Sequence, residues 1–253
     1  MRHLTRVPLF GENGYPARHA KAGASLFRMD SGLKRHKYEA VIFDLDGTLI
    51  NSLSVWHDVD ITFLGRRGLA VPPTLQKDLG GLSMYEIGEY FQTKFGLSDT
   101  VEEMMAEWNE LAYEDYRYRF GLKEGAEDFL HFLKKEGFST GLATSNSREL
   151  VEASFEKNRL YDVIDVIVSS NEVPHGKPEP DIYLACAERL SAIPERCLVF
   201  EDHPDGILAA RRAGMTVWAV ADDYTSDAEE EKRRAAAGFI TDFTEFDRSL
   251  LFE

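Results

Sequence analysis

From Tyr38 onward the chain alternates between two patterns. Short apolar runs occur at Ala40 to Leu45, Ser139 to Thr144, Val163 to Ser169, Cys197 to Glu201, Thr216 to Ala221 and Gly238 to Thr241. Runs this brief, rich in valine, isoleucine and phenylalanine, read as strands buried on both faces. Between them lie stretches with apolar residues at helical spacing, which predict helices over Glu127 to Glu136, Arg148 to Asn158, Asp181 to Ser191 and Gly206 to Ala213. Gly214 then suits a left-handed helix cap. Strands that alternate with helices predict a doubly wound, Rossmann-like parallel sheet covered by helices, an α/β fold.

The alternation fails in one place. Between Ser52 and Leu122 no strand pattern appears, only helical ones, two of them opened by capping boxes at Ser83 with Glu86 and Thr100 with Glu103. The stretch Thr100 to Phe120 sets Met104, Trp108, Leu111, Ala112 and Tyr116 at helical spacing, which reads as a long helix with those residues in the core. The chain therefore divides into an α/β core made of residues 38–53 and 123–253 and an inserted α-helical cap, residues 54–122.

Composition narrows the possible partners. With 29 basic and 44 acidic residues the net charge is −15, which argues against nucleic acid or an anionic membrane surface as the main partner. No apolar run approaches the roughly 20 residues needed to span a bilayer. Residues 1–37 differ from the rest: eight Lys or Arg against Glu12 and Asp30 give +6, leaving −21 on the other 216 residues. This segment reads as a basic, disordered N-terminal extension, with an organellar transit peptide or a mis-assigned start as alternatives. A cytoplasmic location is expected. Cys186 and Cys197 have no metal-ligand spacing and suit buried free thiols in a reducing compartment.

Ligands of open parallel sheets bind beyond the carboxyl ends of the strands. The residues after each strand are therefore the candidates. "FDLDGT" places Asp44 and Asp46 after the first, and "ATSN" places Thr144, Ser145 and Asn146 after the second, just before a helix start that favours anions. "FEDHPDG" places Glu201 and Asp202 at another strand end, and "HGKPEPD" brings Lys177. Four carboxylates at two strand ends would repel each other without compensation, and oxygen-only ligation favours Mg²⁺. Thr144 and Lys177 then fit as donors to phosphate oxygens, with one aspartate free to attack phosphorus.

"DLDGT", "ATSN", "GKPEPD" and "FEDHPDGILAARRAG" resemble, in order and spacing, the four motifs of the haloacid dehalogenase superfamily, over residues 38–244. The resemblance is closest to the subgroup with a small helical cap, which holds phosphosugar phosphatases and β-phosphoglucomutase. It implies Asp44 as nucleophile and Asp46 as general acid and then base. It further implies Mg²⁺ held by Asp44, the Asp46 carbonyl and Asp202, and phosphate bound by Thr144, Ser145, Asn146 and Lys177. Glu201 stands where many relatives have glycine, and Gly206 where they have a second acidic residue. That exchange leaves Glu201, directly or through water, to complete the metal shell.

Two readings share this chemistry, Mg²⁺-dependent hydrolysis of a small phosphomonoester such as a sugar or polyol phosphate, and a β-phosphoglucomutase-type isomerisation. A mutase must hold a second phosphate. The loop "DLGGLSMYE" has Gly80 and Met84 where cations would be needed, and Trp56 stands near the position of a mutase histidine, so hydrolysis is expected. A third reading, a non-catalytic domain with a phosphorylatable aspartate, does not call for the cap, Asp46 and Lys177 together.

Overall fold

The computed structural model describes residues 35–79, 82 and 84–253, the Lys77 side chain excepted. The expected extension as far as residue 34, the Gly80–Gly81 pair and the Ser83–Glu86 capping box lie outside these residues. Residues 35–37, assigned above to the extension, pair with the C-terminus: Lys37 N donates to the Leu251 carbonyl (2.9 Å), and the His36 ring stacks on Phe138 at 4.0 Å.

The six expected strands form one parallel sheet in the order β3-β2-β1-β4-β5-β6. They are β1 (Ala40–Phe43), β2 (Ser139–Thr144), β3 (Val166–Ser169), β4 (Cys197–Glu201), β5 (Thr216–Val220) and β6 (Gly238–Ile240). The chain runs outward from β1 through β2 to β3, then returns to the other side of β1 with β4. Strand order thus reverses at β1, the position at which open α/β sheets gather ligands.

Alternate residues of each strand feed two packed layers. On one face Ile42, Ala143 and Val199 meet Tyr183, Cys186 and Ile207, all fully buried, from α7 (Asp181–Leu190) and α8 (Pro204–Arg212). On the other, Phe43 and Phe200 stack at 5.4 Å and join Phe129 of α5 (Ala126–Glu136) and Phe243. Helices α6 (Arg148–Asn158) and α9 (Glu229–Ala235) complete the wrapping of the sheet.

Where strands are shorter than the pattern predicts, a turn has claimed the residues. β1 stops at Phe43 because Leu45 to Ile50 fold into a tight turn, Leu49 N and Ile50 N both donating to the Leu45 carbonyl (2.9 and 3.0 Å). β3 begins at Val166 because Val163 and Ile164 donate to Leu160 and close a helical turn there. α8 begins two residues early: His203 caps it through Nδ1, and Pro204 takes the first helical position, where its fixed φ and missing N–H cost nothing.

Among its described residues the strandless interval holds helices joined by turns and no strand: α1 (Ser54–Arg66), α2 (Leu75–Leu79), α3 (Met84–Phe95) and α4 (Val101–Tyr118). Thr100 and Glu103 form the expected capping box, and Met104, Trp108, Ala112 and Tyr116 lie on the buried side of α4. Phe63, Phe91 and Trp108 knit α1, α3 and α4 together edge to face. α4 also packs along α6, which ties the inserted helices to the sheet layer within one compact unit. No described helix is long and apolar enough to cross a membrane.

Candidate active site

The turn after β1 aims Asp44 and Asp46 at the same space. Gly47 makes it possible: its φ of +80° is a left-handed conformation, and a Cβ there would lie 2.4 Å from Asp202 Oδ2. Thr48 Oγ1 donates to Asp202 Oδ1 (3.0 Å), so the turn also positions the carboxylate that follows β4. From the loop before α7, Lys177 Nζ reaches Asp44 Oδ1 and Glu201 Oε1, each at 2.6 Å; its peptide bond to Pro178 is cis.

Asp44, Glu201 and Asp202 are all buried, and one ligand oxygen from each lies within 4.8 Å of the others. Burial drives the Asp44 carboxyl up to about 7 against the pull of Lys177, and the neighbouring Glu201 and Asp46 charges add to the rise. Burial and the neighbouring Glu201 and Asp44 likewise push Asp202 well above the usual carboxylate range. Burial disfavours the Lys177 charge, but Asp44 and Glu201 outweigh it and hold the ammonium in place. One lysine against three crowded carboxylates, with oxygen the sole donor type, fits a hard divalent cation.

Asp46 lies outside that cluster of three carboxylates and is wired to α4 through Tyr116. Its Oδ1 accepts from Ser52 Oγ (2.5 Å) and from the Tyr116 hydroxyl of α4, and its Oδ2 accepts from Asn146 Nδ2 (3.0 Å). Asn146 Nδ2 also donates to the Tyr116 oxygen (2.8 Å). Burial raises the Asp46 carboxyl while these three donors oppose the rise. The Asn146 amide, expected among the phosphate-binding groups, is thus engaged in holding Asp46. Thr144 is buried at the end of β2, where its Oγ1 accepts from Asn146 N (3.1 Å), and the exposed Ser145 follows it.

Glu201 and Gly206 form an interlocked pair. A Cβ on Gly206 would sit 1.6 Å from Glu201 Oε1. The glutamate cannot swing away, because Oε1 accepts from Lys177 and Tyr183 and Oε2 from His203 N (2.8 Å). The two positions therefore allow either glutamate with glycine, as here, or a smaller residue with a larger one.

These groups form the floor of a cavity of about 330 Å³ whose opposite wall belongs to the inserted helices. Asp44, Asp46, Thr144, Ser145, Asn146, Lys177, Glu201 and Asp202 all line it, so every site residue expected from sequence converges on one place. The family comparison covers this assembly: the model of the "Haloacid dehalogenase-like hydrolase" family matches residues 41–220. The chain belongs to this family. Like its relatives, this haloacid dehalogenase-like protein is an enzyme of the phosphatase type. It is 31% identical over 192 residues to validoxylamine A 7'-phosphate phosphatase of Streptomyces hygroscopicus subsp. limoneus, covering 76% of this chain and 89% of that one. To the phosphorylated carbohydrates phosphatase of Thermotoga maritima it is 30% identical, over 70% of this chain and 82% of the relative. A haloacid dehalogenase hydrolase from Entamoeba histolytica superposes with a TM-score of 0.75 at 26% identity, covering 84% and 97% of the two chains.

Several residues that line the haloacid dehalogenase-like site were not singled out for it from sequence. Trp108 reads only as an apolar position of α4, as does Tyr116, which bonds the lining residue Asp46, since periodicity reports that a face is buried and not what it is buried against. His203 and Asp205, at the start of α8, also line the cavity. Asp60 carried a usable signal. It stands four residues after Trp56 and four before Leu64 on α1, a carboxylate on an otherwise apolar face.

Proposed function

We propose that this phosphatase hydrolyses a small phosphomonoester, a sugar or polyol phosphate, with Mg²⁺ at the carboxylate cluster and Asp44 as nucleophile. The observation that carries the reading is the Asp44 carboxylate, clamped by Lys177 at 2.6 Å on the floor of the cavity, beside two further buried carboxylates and two residues before Asp46. Asp44, Asp202 and the Asp46 carbonyl would hold the ion, with Glu201 adding charge; when bound, it polarises phosphoryl oxygens and screens them from Asp44.

The residues then have distinct tasks. Thr144 and the Ser145 amide receive the phosphoryl oxygens, and Lys177 balances their charge and orients Asp44. An Asp44 oxygen attacks phosphorus, the bond to the leaving oxygen breaks, and Asp46 gives that oxygen its proton. Water next attacks the aspartyl phosphate while Asp46 takes a proton from it, which releases phosphate and restores Asp44. Ser52, Tyr116 and Asn146 hold Asp46 in place for both steps. In this reading α1–α4 act as a cap that excludes bulk water from the cavity.

Hydrolysis is favoured over isomerisation because, among the described residues, the cap side of the cavity presents no Lys, Arg or His to a second phosphate. The test is phosphate release from a panel of sugar, polyol and acid phosphates, with Mg²⁺ and with EDTA, while β-glucose 1-phosphate is followed for conversion to glucose 6-phosphate. Metal-dependent release that Asp44→Asn abolishes in a folded protein is the expected result. Isomerisation without release would make the enzyme a mutase, and near-normal turnover by Asp44→Asn would remove it as nucleophile.

A further inference from the structure

The cap wall of the cavity is mostly apolar, with Trp56, Val59 and Ile87 among its residues, but it contains one carboxylate, Asp60. Asp60 is only 7% exposed; its Oδ2 accepts from Gln76 Nε2 (2.9 Å), and Oδ1 has no hydrogen-bond partner among the described residues. Trp108 is 2% exposed, and its Nε1, fully buried, also has none. A carboxylate oxygen left without a protein partner in a mostly apolar cavity wall points to a ligand group that donates to it. A hydroxyl supplies that donor.

We propose that Asp60 selects the leaving group of the substrate, and that this group is an uncharged polyol or sugar whose hydroxyl donates to the Asp60 carboxylate, in place of a second phosphate or a carboxylate. The inference rests on the phosphatase reading of the same cavity. The charge pattern supports it independently of the unpaired atoms. Among the described lining residues, those able to carry positive charge, Lys177 and His203, come from the sheet side, and Lys177 is already bound to Asp44 and Glu201. An anionic tail would therefore face Asp60 across a poorly solvated cavity with no cation among the described cap residues to offset it. Discrimination here works by repulsion of the wrong tail as well as by attraction of the right one.

Paired substrates test this: glycerol phosphate against phosphoglycerate and sorbitol phosphate against phosphogluconate, each pair differing by a terminal CH₂OH or carboxylate. At pH 8, where the Asp60 carboxyl is ionised, the wild type is expected to favour the polyol of each pair by about tenfold or more in kcat/KM, the equivalent of about 1.4 kcal/mol. Asp60→Asn, nearly isosteric, is expected to bring the ratio to within about threefold, because like-charge repulsion is lost. A wild type that prefers the acids overturns the proposal without any variant. So does an Asp60→Asn enzyme that slows both members of each pair in equal proportion, the mark of a purely structural residue. If no member releases phosphate and p-nitrophenyl phosphate is also untouched, the phosphatase reading fails. Calorimetric affinities of the same pairs then decide the role of Asp60, equal or tighter binding of the acids counting against it.

Discussion

At the residue scale the site is governed by carboxylates that burial has made reluctant to ionise. Asp60 allows the cleanest test, since burial lifts it to about 7 and only the Gln76 hydrogen bond opposes the rise. Unfolded, the same carboxyl titrates near 3.8. Between those values the folded chain keeps a proton that the unfolded chain releases, so stability falls as pH rises through that window. Asp60→Asn removes this loss. Its melting temperature should match the wild type near pH 4 and exceed it at pH 8, by on the order of 2 kcal/mol in stability. A second prediction concerns Gly206→Ala. The new methyl meets a glutamate pinned by three donors, so overpacking should cost about 2 kcal/mol in chemical denaturation. In a Glu201→Ala background the same change should cost under about 1 kcal/mol, a coupling that a double-mutant cycle reads directly. At this scale Asp44, Asp46, Lys177 and Asp202 were legible in the sequence because each follows a strand end or a proline-ordered loop. Tyr116, Trp108 and Asp60 were not, because their task depends on what the fold sets opposite them.

At the element scale α4 separates stability from chemistry along its own length. Its capping box lies at Thr100, and Tyr116 lies 16 residues further on, about 24 Å at 1.5 Å per residue. Thr100→Ala should lower stability by about 1 kcal/mol in denaturant titration yet leave kcat/KM within about twofold. Tyr116→Phe should behave in the opposite way. The ring stays packed on Phe120 and Trp56, but the donor to Asp46 is lost. About tenfold lower kcat on alkyl phosphates is expected, with a smaller loss on p-nitrophenyl phosphate, whose leaving group needs less protonation. Strand and helix identities followed from periodicity at this scale. Their ends did not, because they are set by hydrogen bonds such as Leu49 N to Leu45 O and by the His203 cap.

At the scale of the whole molecule the parallel sheet gathers acidic groups from two neighbouring strands, with Lys177 the lysine paired directly to them among the described residues. Mg²⁺ should therefore raise the melting temperature, by about 2.7 kcal/mol of stability at a hundredfold excess over Kd, and Asp202→Asn should remove most of that rise. The topology was legible in the sequence as strands alternating with helices, with a helical interval after the first strand. The size and polarity of the cavity were not, since they arise only when α1 and α4 are set over the sheet. The order of the chain has one more consequence. The wall that meets the leaving group is written in one uninterrupted stretch of sequence, whereas the groups around Asp44 are scattered across four separated ones. A single recombination event could exchange that wall whole and hand the same phosphate chemistry a new metabolite. The graft would take only if the incoming segment kept a tyrosine at the end of its last helix, because that hydroxyl is the stitch between the borrowed piece and the resident acid.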